Sequence, residues 1–539
     1  MIIPAPAGGA KLPIGVQAPH LHISKVVLSN FRKFELLQLD LNPDLNIFAG
    51  DNEAGKSTVL TAIDLTLSAS RSKVETIGIE ALMRNAVVEG FLKSEKKPAN
   101  LPTLFVEVYL SDGSDPNLKG RCNSRHDNTF GLRFTCEPSD DYALEIQEVL
   151  AEKADNFPFE FYTVKFSTFA GVPYSGYTKP VRHLVIDGAQ INAEYAQREY
   201  TRTLYRVHAT PSQRGSHENK YRQYKDNFSD EHLAEINAKL ELKFQVRSSV
   251  KSNLEADLQI AEGGVPLEAR GRGRQSLIKT EFAMSKGTKA SDSIQVLLLE
   301  EPENHLSHVS MRRLLDSLSK PGTKQLFVST HNSLVCSRLD LRKVIMMDAT
   351  GNKASLRDLD PATADFFCKA PDNNVLEFAM SRRVILVEGD AEFILIAALY
   401  EASTGGTLEK DGVHVIAVGG TSFKRYLALA KILNVRTAVI RDNDHNYQKH
   451  CVENYADLLG ANSQVFAEKE DARYTFEICL YNDNQAACDE LFGKGRRKLS
   501  PLEWMLDNKA EAALMLLEKY KVDLKVPAYL SDAMTWVKQ

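Results

Sequence analysis

VILVEGDAEF, residues 384–393, sets an apolar run directly against three acids, Glu388, Asp390 and Glu392. Val, Ile and Leu in succession, closed by a glycine turn, read as a buried strand. Carboxylates at the end of such a strand cost free energy unless a cation sits beside them. The same pattern stands upstream in VLLLEEPENHL, residues 296–306, where an apolar strand ends at Glu300 and Glu301. Two strands tipped with acids imply two sites.

Working outward from residue 384, the segments RVILVEG, AEFILIAALYEAS, VHVIAVGG, FKRYLALAKILN and RTAVIRDND alternate strand and helix. Such repeats predict a parallel sheet with helices on its faces. The last of them ends in Asp442-Asn443-Asp444. In a parallel sheet both acidic turns fall at the carboxyl edge, where α/β folds place their sites. Carboxylates gathered there repel one another unless hard cations lie between them. Two divalent ions ~4 Å apart can stabilise both the attacking and the leaving oxygen at a phosphodiester. Glu388, Glu392, Asp442 and Asp444 are therefore candidate catalytic and metal-holding residues.

The upstream acids have a different companion. AGDNEAGKST, residues 49–58, follows a strand-like segment and precedes the helical spacing of STVLTAIDLTLSAS. Glycines free the backbone to wrap phosphate oxygens, the helix aims its positive end at them, Lys56 reaches the β and γ phosphates, and Ser57 can bind Mg²⁺. Gly50, Asn52, Gly55, Lys56, Ser57 and Thr58 are the candidate nucleotide contacts. Of the paired acids, Glu300 is assigned to the metal and Glu301 to the attacking water.

Between these motifs, strands dominate the first 180 residues apart from the helix after the glycine loop. Residues 190–260 are rich in charge and tyrosine and read as a helical insertion, with Asp230 capping a helix that begins EHLAEINAKL. Arg198, Arg202 and Arg206 recur every four residues, so a helix places them on one face. That face reads as solvated surface or as an arm for DNA contact or dimerisation.

The chain has 539 residues, too many for one core. Its net charge of -5 excludes a uniformly basic coat for nucleic acid but not a local basic groove. The seven cysteines form no CxxC pair, so neither zinc nor a disulfide framework is expected and a reducing cytoplasm fits. Residues 1–20, with four prolines and three glycines, read as a loose extension. No apolar run approaches the ~20 residues of a membrane span.

The glycine loop and the acidic strand resemble the ABC-type ATPases of the SMC and RecF-like group over most of residues 20–350. That resemblance makes RGRGRQS, with Gly271, Gly273 and Gln275, the candidate signature segment, and His331 the candidate γ-phosphate sensor. It implies two heads closing on ATP, hence at least a homodimer. The Q-loop glutamine is left unassigned, and nothing in the sequence supports Gln190 for it. The later segment, with Glu388 and Asp442-x-Asp444, resembles a Toprim domain. The combination resembles the OLD family of ATP-dependent nucleases over nearly the whole chain beyond residue 20. The EGDAE form and Gly419-Gly420 at a strand end extend the likeness. It implies Glu477 as a further metal ligand and Lys509 as a contact to the scissile phosphate.

The expected fold is α/β: a flexible extension (1–20), an ABC-type ATPase head (21–375) with a helical insertion at about 185–260, then a Rossmann-like Toprim domain with C-terminal helices (380–539). The expected function is an ATP-binding, metal-dependent DNA endonuclease using Mg²⁺, with Mn²⁺ as an alternative. It is expected in the cytoplasm, in anti-phage defence or DNA processing, with a helicase-like or other defence partner. The alternative is an SMC/RecF-like clamp or DNA sensor whose Toprim part binds without cutting. A topoisomerase would need a nucleophilic tyrosine that nothing picks out among eighteen.

Overall fold

The structure is a computed structural model. It describes residues 21–539 apart from 51, 112, 114, 153–155, 177, 189–193, 248–253, 285–293, 320–323, 349–352, 370–373, 420–421, 494–498 and 522. The N-terminal extension, Gln190 and Gly420 lie outside the described residues. By its internal contacts the chain divides into two compact units. One comprises the residues up to Asn46 together with Ser57–Val328, the other Ile47–Lys56 with Ser329–Gln539.

The chain begins with β1 (Ile23–Phe31), β2 (Phe34–Asp40), β3 (Leu45–Ala49), α1 (Lys56–Ser68), α2 (Arg71–Ile77), β4 (Leu104–Leu110), β5 (Thr129–Pro138), β6 (Tyr162–Thr168) and β7 (His183–Asp187). The first unit carries an antiparallel sheet in which β1 pairs with both β2 and β4, β4 with β5, and β5 with β6. Val26, Leu28 and Phe31 of β1 are fully buried, the mark of a strand packed on a core. Helices are more frequent here than the sequence predicts: besides α1 and α2, residues 79–82, 85–92 and 143–151 are helical. Only one or two side chains of each are buried, an apolar face too narrow to stand out as a period.

Next come α3 (Glu194–His208), α4 (Pro211–His232), α5 (Arg272–Met284), β8 (Val296–Glu300) and β9 (Gln325–Thr330). The polar insertion starts only after β7, because residues 183–187 pair in parallel with β8. Asp230 caps nothing. It lies inside α4, whose N-cap is Thr210, with Pro211 at the first helical position and Gln213 completing a capping box. The helix expected from residue 231 is a single turn, Ala234–Asn237. Thr210 outcompetes Asp230 because a threonine, proline and glutamine in sequence satisfy the orphan amides of a long helix at once.

The second unit contains β10 (Val344–Met347), β11 (Lys353–Ser355), β12 (Arg383–Val387), α6 (Asp390–Thr404), β13 (Val413–Ala417), α7 (Phe423–Leu433), β14 (Arg436–Ile440), β15 (Ser463–Phe466), α8 (Phe476–Asp483), α9 (Lys509–Tyr520) and α10 (Ala528–Lys538). Strand β10 pairs in parallel with Ile47–Ala49 of β3. Strands β13-β12-β14-β15 form a four-stranded sheet, parallel throughout. Val384, Ile385, Leu386 and Val387 are all fully buried, as an interior parallel strand requires. One core joins this sheet to α6, α8, α9 and α10, with Leu395, Leu399, Leu516 and Leu530 at its centre. The buried strands thus push their polar ends, Glu388 and Asp442, to one edge.

Candidate nucleotide and metal sites

The glycine loop belongs to the second unit up to Lys56. Gly50 has φ +152°, and a Cβ there would lie 2.0 Å from the Met347 carbonyl oxygen of β10, so no side chain fits. Gly55 also has a positive φ, +99°. The buried Lys56 ammonium donates to the Gly50 carbonyl at 2.7 Å, folding the loop over its own lysine. Asn52 is exposed on the turn, and His331 is exposed just past β9.

In the first unit, Ser57 stands exposed at the start of α1, with Thr58 buried behind it. Glu300, at the tip of β8, hydrogen-bonds the Ser57 hydroxyl. Burial raises the Glu300 carboxyl above the ordinary glutamate range, as do Asp187 and Glu301, while Ser57 and Arg32 oppose the rise. Ser57 beside Glu300 is a donor set that fits Mg²⁺ on a nucleotide. Glu301 adopts a left-handed backbone (φ 42°), and its carboxylate accepts from Asn304 Nδ2 at 2.8 Å. Arg32 and Asp187 are additions the sequence did not offer.

The candidate signature segment lies at the start of α5. Gly273 and Gln275 lie on α5, and a Cβ on Gly273 would sit 2.3 Å from the His305 carbonyl oxygen. Gln275 is 1% exposed and its amide donates to the Glu268 and Arg270 carbonyls. Both residues as placed serve packing. Arg202 and Arg206 of α3 do share a face, and both clamp Glu255 at 2.8 Å.

At the edge of the parallel sheet, Glu388 follows β12 and Glu392 lies in the first turn of α6. Asp442 follows β14, and its carboxylate accepts from the Phe476 N–H at the start of α8 at 2.8 Å. The next residue, Glu477, is 3% exposed, and Lys509 at the start of α9 donates to it at 3.0 Å. These five residues, 121 positions apart in sequence, feel one another's charge. Burial first, then Glu477 and Glu388, push the Glu392 carboxyl up to about 7. Burial first, then Glu392, Glu477 and Glu388, push Asp442 up to about 8. Asp444 stands apart on the exposed rim with φ 49°, 3.3 Å from the Arg441 guanidinium and 3.4 Å from His450.

A cation fits this cluster on two counts. Glu388, Glu392 and Asp442 resist ionisation in one another's company, and Glu388 Oε2 is buried without a hydrogen-bond partner. The carboxylates are neighbours rather than a closed ligand shell: among the described residues, no group of three or more His, Cys, Asp or Glu side chains is arranged to hold a metal directly. Asp442 is engaged by the α8 amide and Glu477 by Lys509. Sequence reasoning missed Arg441, which bonds the Tyr455 hydroxyl and faces Glu388. An arginine closing a strand gives no signal by itself.

Comparison with known proteins accords with these two sites. Residues 380–444 match the family "Overcoming lysogenization defect protein-like, TOPRIM domain". Residues 25–263 match an AAA domain family, and residues 279–337 a second AAA domain model. The chain is 28% identical over 179 residues to Endonuclease GajA of Bacillus cereus, covering 32% of this chain and 30% of that protein. It is 52% identical over 44 residues to the DNA replication and repair protein RecF of Mesorhizobium japonicum, 8% of this chain and 12% of that one. The matches therefore span less than a third of these relatives' length. The C-terminal region of the Xanthomonas campestris OLD protein matches at 23% identity, covering 29% of this chain and 94% of that one, with a TM-score of 0.23. No helix among the described residues is long and apolar enough to cross a membrane. The chain thus carries an AAA-type ATPase head followed by an OLD-like TOPRIM domain.

Proposed function

We propose that this chain is a metal-dependent DNA endonuclease governed by its ATPase head. The observation that carries the reading is the gathering of Glu388, Glu392, Asp442 and Glu477 with Lys509 at the carboxyl edge of one parallel sheet. Glu388, Glu392, Asp442, Asp444 and Glu477 are the residues that would hold divalent cations, Mg²⁺ or Mn²⁺. Bound there, the cations would offset the clustered charge and stabilise the charge that builds on a phosphodiester. Lys509, already drawn in by Glu477, sits where it can steady a phosphate oxygen. Arg441 supplies a second fixed positive charge beside Glu388. A carboxyl near 7, such as Glu392, suits proton transfer at neutral pH.

The head has a separate task. Lys56, Ser57 and Glu300 would hold ATP with its Mg²⁺, Glu301 would orient water, and His331 would sense the γ phosphate. Phosphodiester hydrolysis is already downhill, so ATP acts as control and not as fuel. The proposed division is a head over 21–375 and a TOPRIM domain with its helices over 380–539. The exposed Tyr224, Phe228, Leu242 and Phe244 around the end of α4 give the insertion a surface for a second copy of the chain. A cytoplasmic role in defence or DNA processing, with a helicase-like partner, completes the proposal.

The test is supercoiled plasmid with Mg²⁺ or Mn²⁺, with and without ATP. Wild type should nick or linearise it, and Glu388→Ala should lose cleavage by at least ~100-fold. A wild type that binds DNA and hydrolyses ATP but never cuts, with either metal, would favour the clamp or sensor instead.

A further inference from the structure

Within the first unit lies a cavity of about 790 Å³ between α1, α2, β7 and α3. That is the size of a small-ligand site. None of Gly50, Gly55, Lys56 or Ser57 lines it, so it is not the glycine loop's own pocket. Its lining holds eight Lys and Arg side chains against five Asp and Glu. Two of those acids are already held: Asp64 by Lys73 at 3.1 Å and by His183 at 2.8 Å, and Glu255 by Arg202 and Arg206. The arginine face read from the sequence therefore opens on this space. Lys279 adds a buried ammonium, 5.6 Å from the Tyr200 ring centroid, on the same wall.

The decisive group is His183. Its side chain is 4% exposed, its Nε2 is bonded to Asp64, and its Nδ1 is buried without any hydrogen-bond partner. A carboxylate on Nε2 fixes the proton there, which leaves Nδ1 as a buried acceptor on a residue that lines a cavity rich in cations. A buried polar atom with no partner keeps its full desolvation cost, so such an atom beside a cavity calls for a ligand. The complement of this wall is an anion that also carries a donor.

We infer that this cavity binds a small phosphate-bearing ligand, of the nucleoside phosphate class, whose hydroxyl or amine donates to His183 Nδ1. It is a second site beside the Glu300–Ser57 pair. Arg32, Asp187 and Glu300 also line it, so its occupant would be felt at the acid that faces Ser57. The inference does not depend on whether the TOPRIM domain cuts DNA.

Equilibrium dialysis of the full chain with ADP and with inorganic pyrophosphate tests it. Wild type should bind two ADP per chain. Lys56→Ala should keep the cavity site, while Lys179→Glu/Arg214→Glu should keep the loop site and weaken the other at least tenfold. His183→Phe should weaken ADP more than pyrophosphate, which lacks the ribose hydroxyls and the adenine amine. Should the double variant melt early, Lys179→Ala alone gives the same reading with a smaller shift. A single ADP per chain, abolished by Lys56→Ala, would overturn the proposal. So would cavity variants that weaken a single-stranded oligonucleotide while leaving both small anions untouched, since the wall would then be a nucleic-acid surface.

Discussion

Asp442 is held between two demands. Its carboxyl sits among Glu392, Glu477 and Glu388 and is pushed up to about 8, yet it must accept from the Phe476 amide. Because its folded pKa lies above the unfolded value, the stability it lends is present in acid and is lost as pH rises from about 4 toward 8. Glu392, at about 7, behaves the same way, and the cluster titrates as a unit. Asp442→Asn keeps an oxygen for the amide and removes the charge. In EDTA this variant should melt above wild type by a few degrees at pH 8, roughly 2–4 °C per kcal/mol, and by much less at pH 5. Mn²⁺ should raise wild type and leave the variant unmoved. Titrating Mn²⁺ at pH 7 in two buffers of different ionisation enthalpy should also reveal protons released on binding, more at pH 7 than at pH 9.

Lys509 allows a second test at this scale. It is half-exposed and bonded to Glu477. Lys509→Ala should lower cleavage by ~10²-fold while DNA binding falls by less than tenfold, read by comparing rates at saturating DNA with a binding isotherm. Equal loss in both would make it an ordinary DNA contact.

At the scale of elements, the site is made by strand ends. Strands β12 and β14 are buried in every residue after their first arginine, so the first acid after each emerges at the sheet edge. That is why Glu388 and Asp442 were legible: the apolar run and the acid stand side by side in sequence. The partners brought by other elements were less so. Arg32 follows β1 and Asp187 ends β7, and they reach Glu300 only once the sheets form. Glu477 and Lys509 were found by family likeness, since a glutamate and a lysine in the first turns of helices carry no signal of their own. Gly273 has a packing reason the sequence did not show: a Cβ there would meet the His305 carbonyl. Gly273→Ala should therefore destabilise the chain by about 1–3 kcal/mol, seen in thermal melts, with no change in the ATPase KM of the folded fraction. Gly50→Ala, forced against Met347, should abolish ATP hydrolysis.

At the scale of the whole molecule, the two acid-tipped strands open two chemistries on one chain. The alternation of strand and helix after residue 383 was legible because parallel strands read as continuous apolar runs. The insertion was legible as helix but not in its ends, since Thr210-Pro211 and not Asp230 starts the long helix. Of its arginines, Arg202 and Arg206 bond Glu255 and line a cavity while staying 40% and 45% exposed. The paired roles proposed here, ATP as control and phosphodiester hydrolysis as output, require the two acidic sites to fail separately.

The most direct measurement takes ATP hydrolysis and plasmid cleavage together on one preparation of Glu388→Ala. The account predicts an ATPase rate within about twofold of wild type and cleavage reduced at least ~100-fold. Cleavage that persists in Glu388→Ala would contradict it, and so would an equal loss of both activities in a variant that melts like wild type.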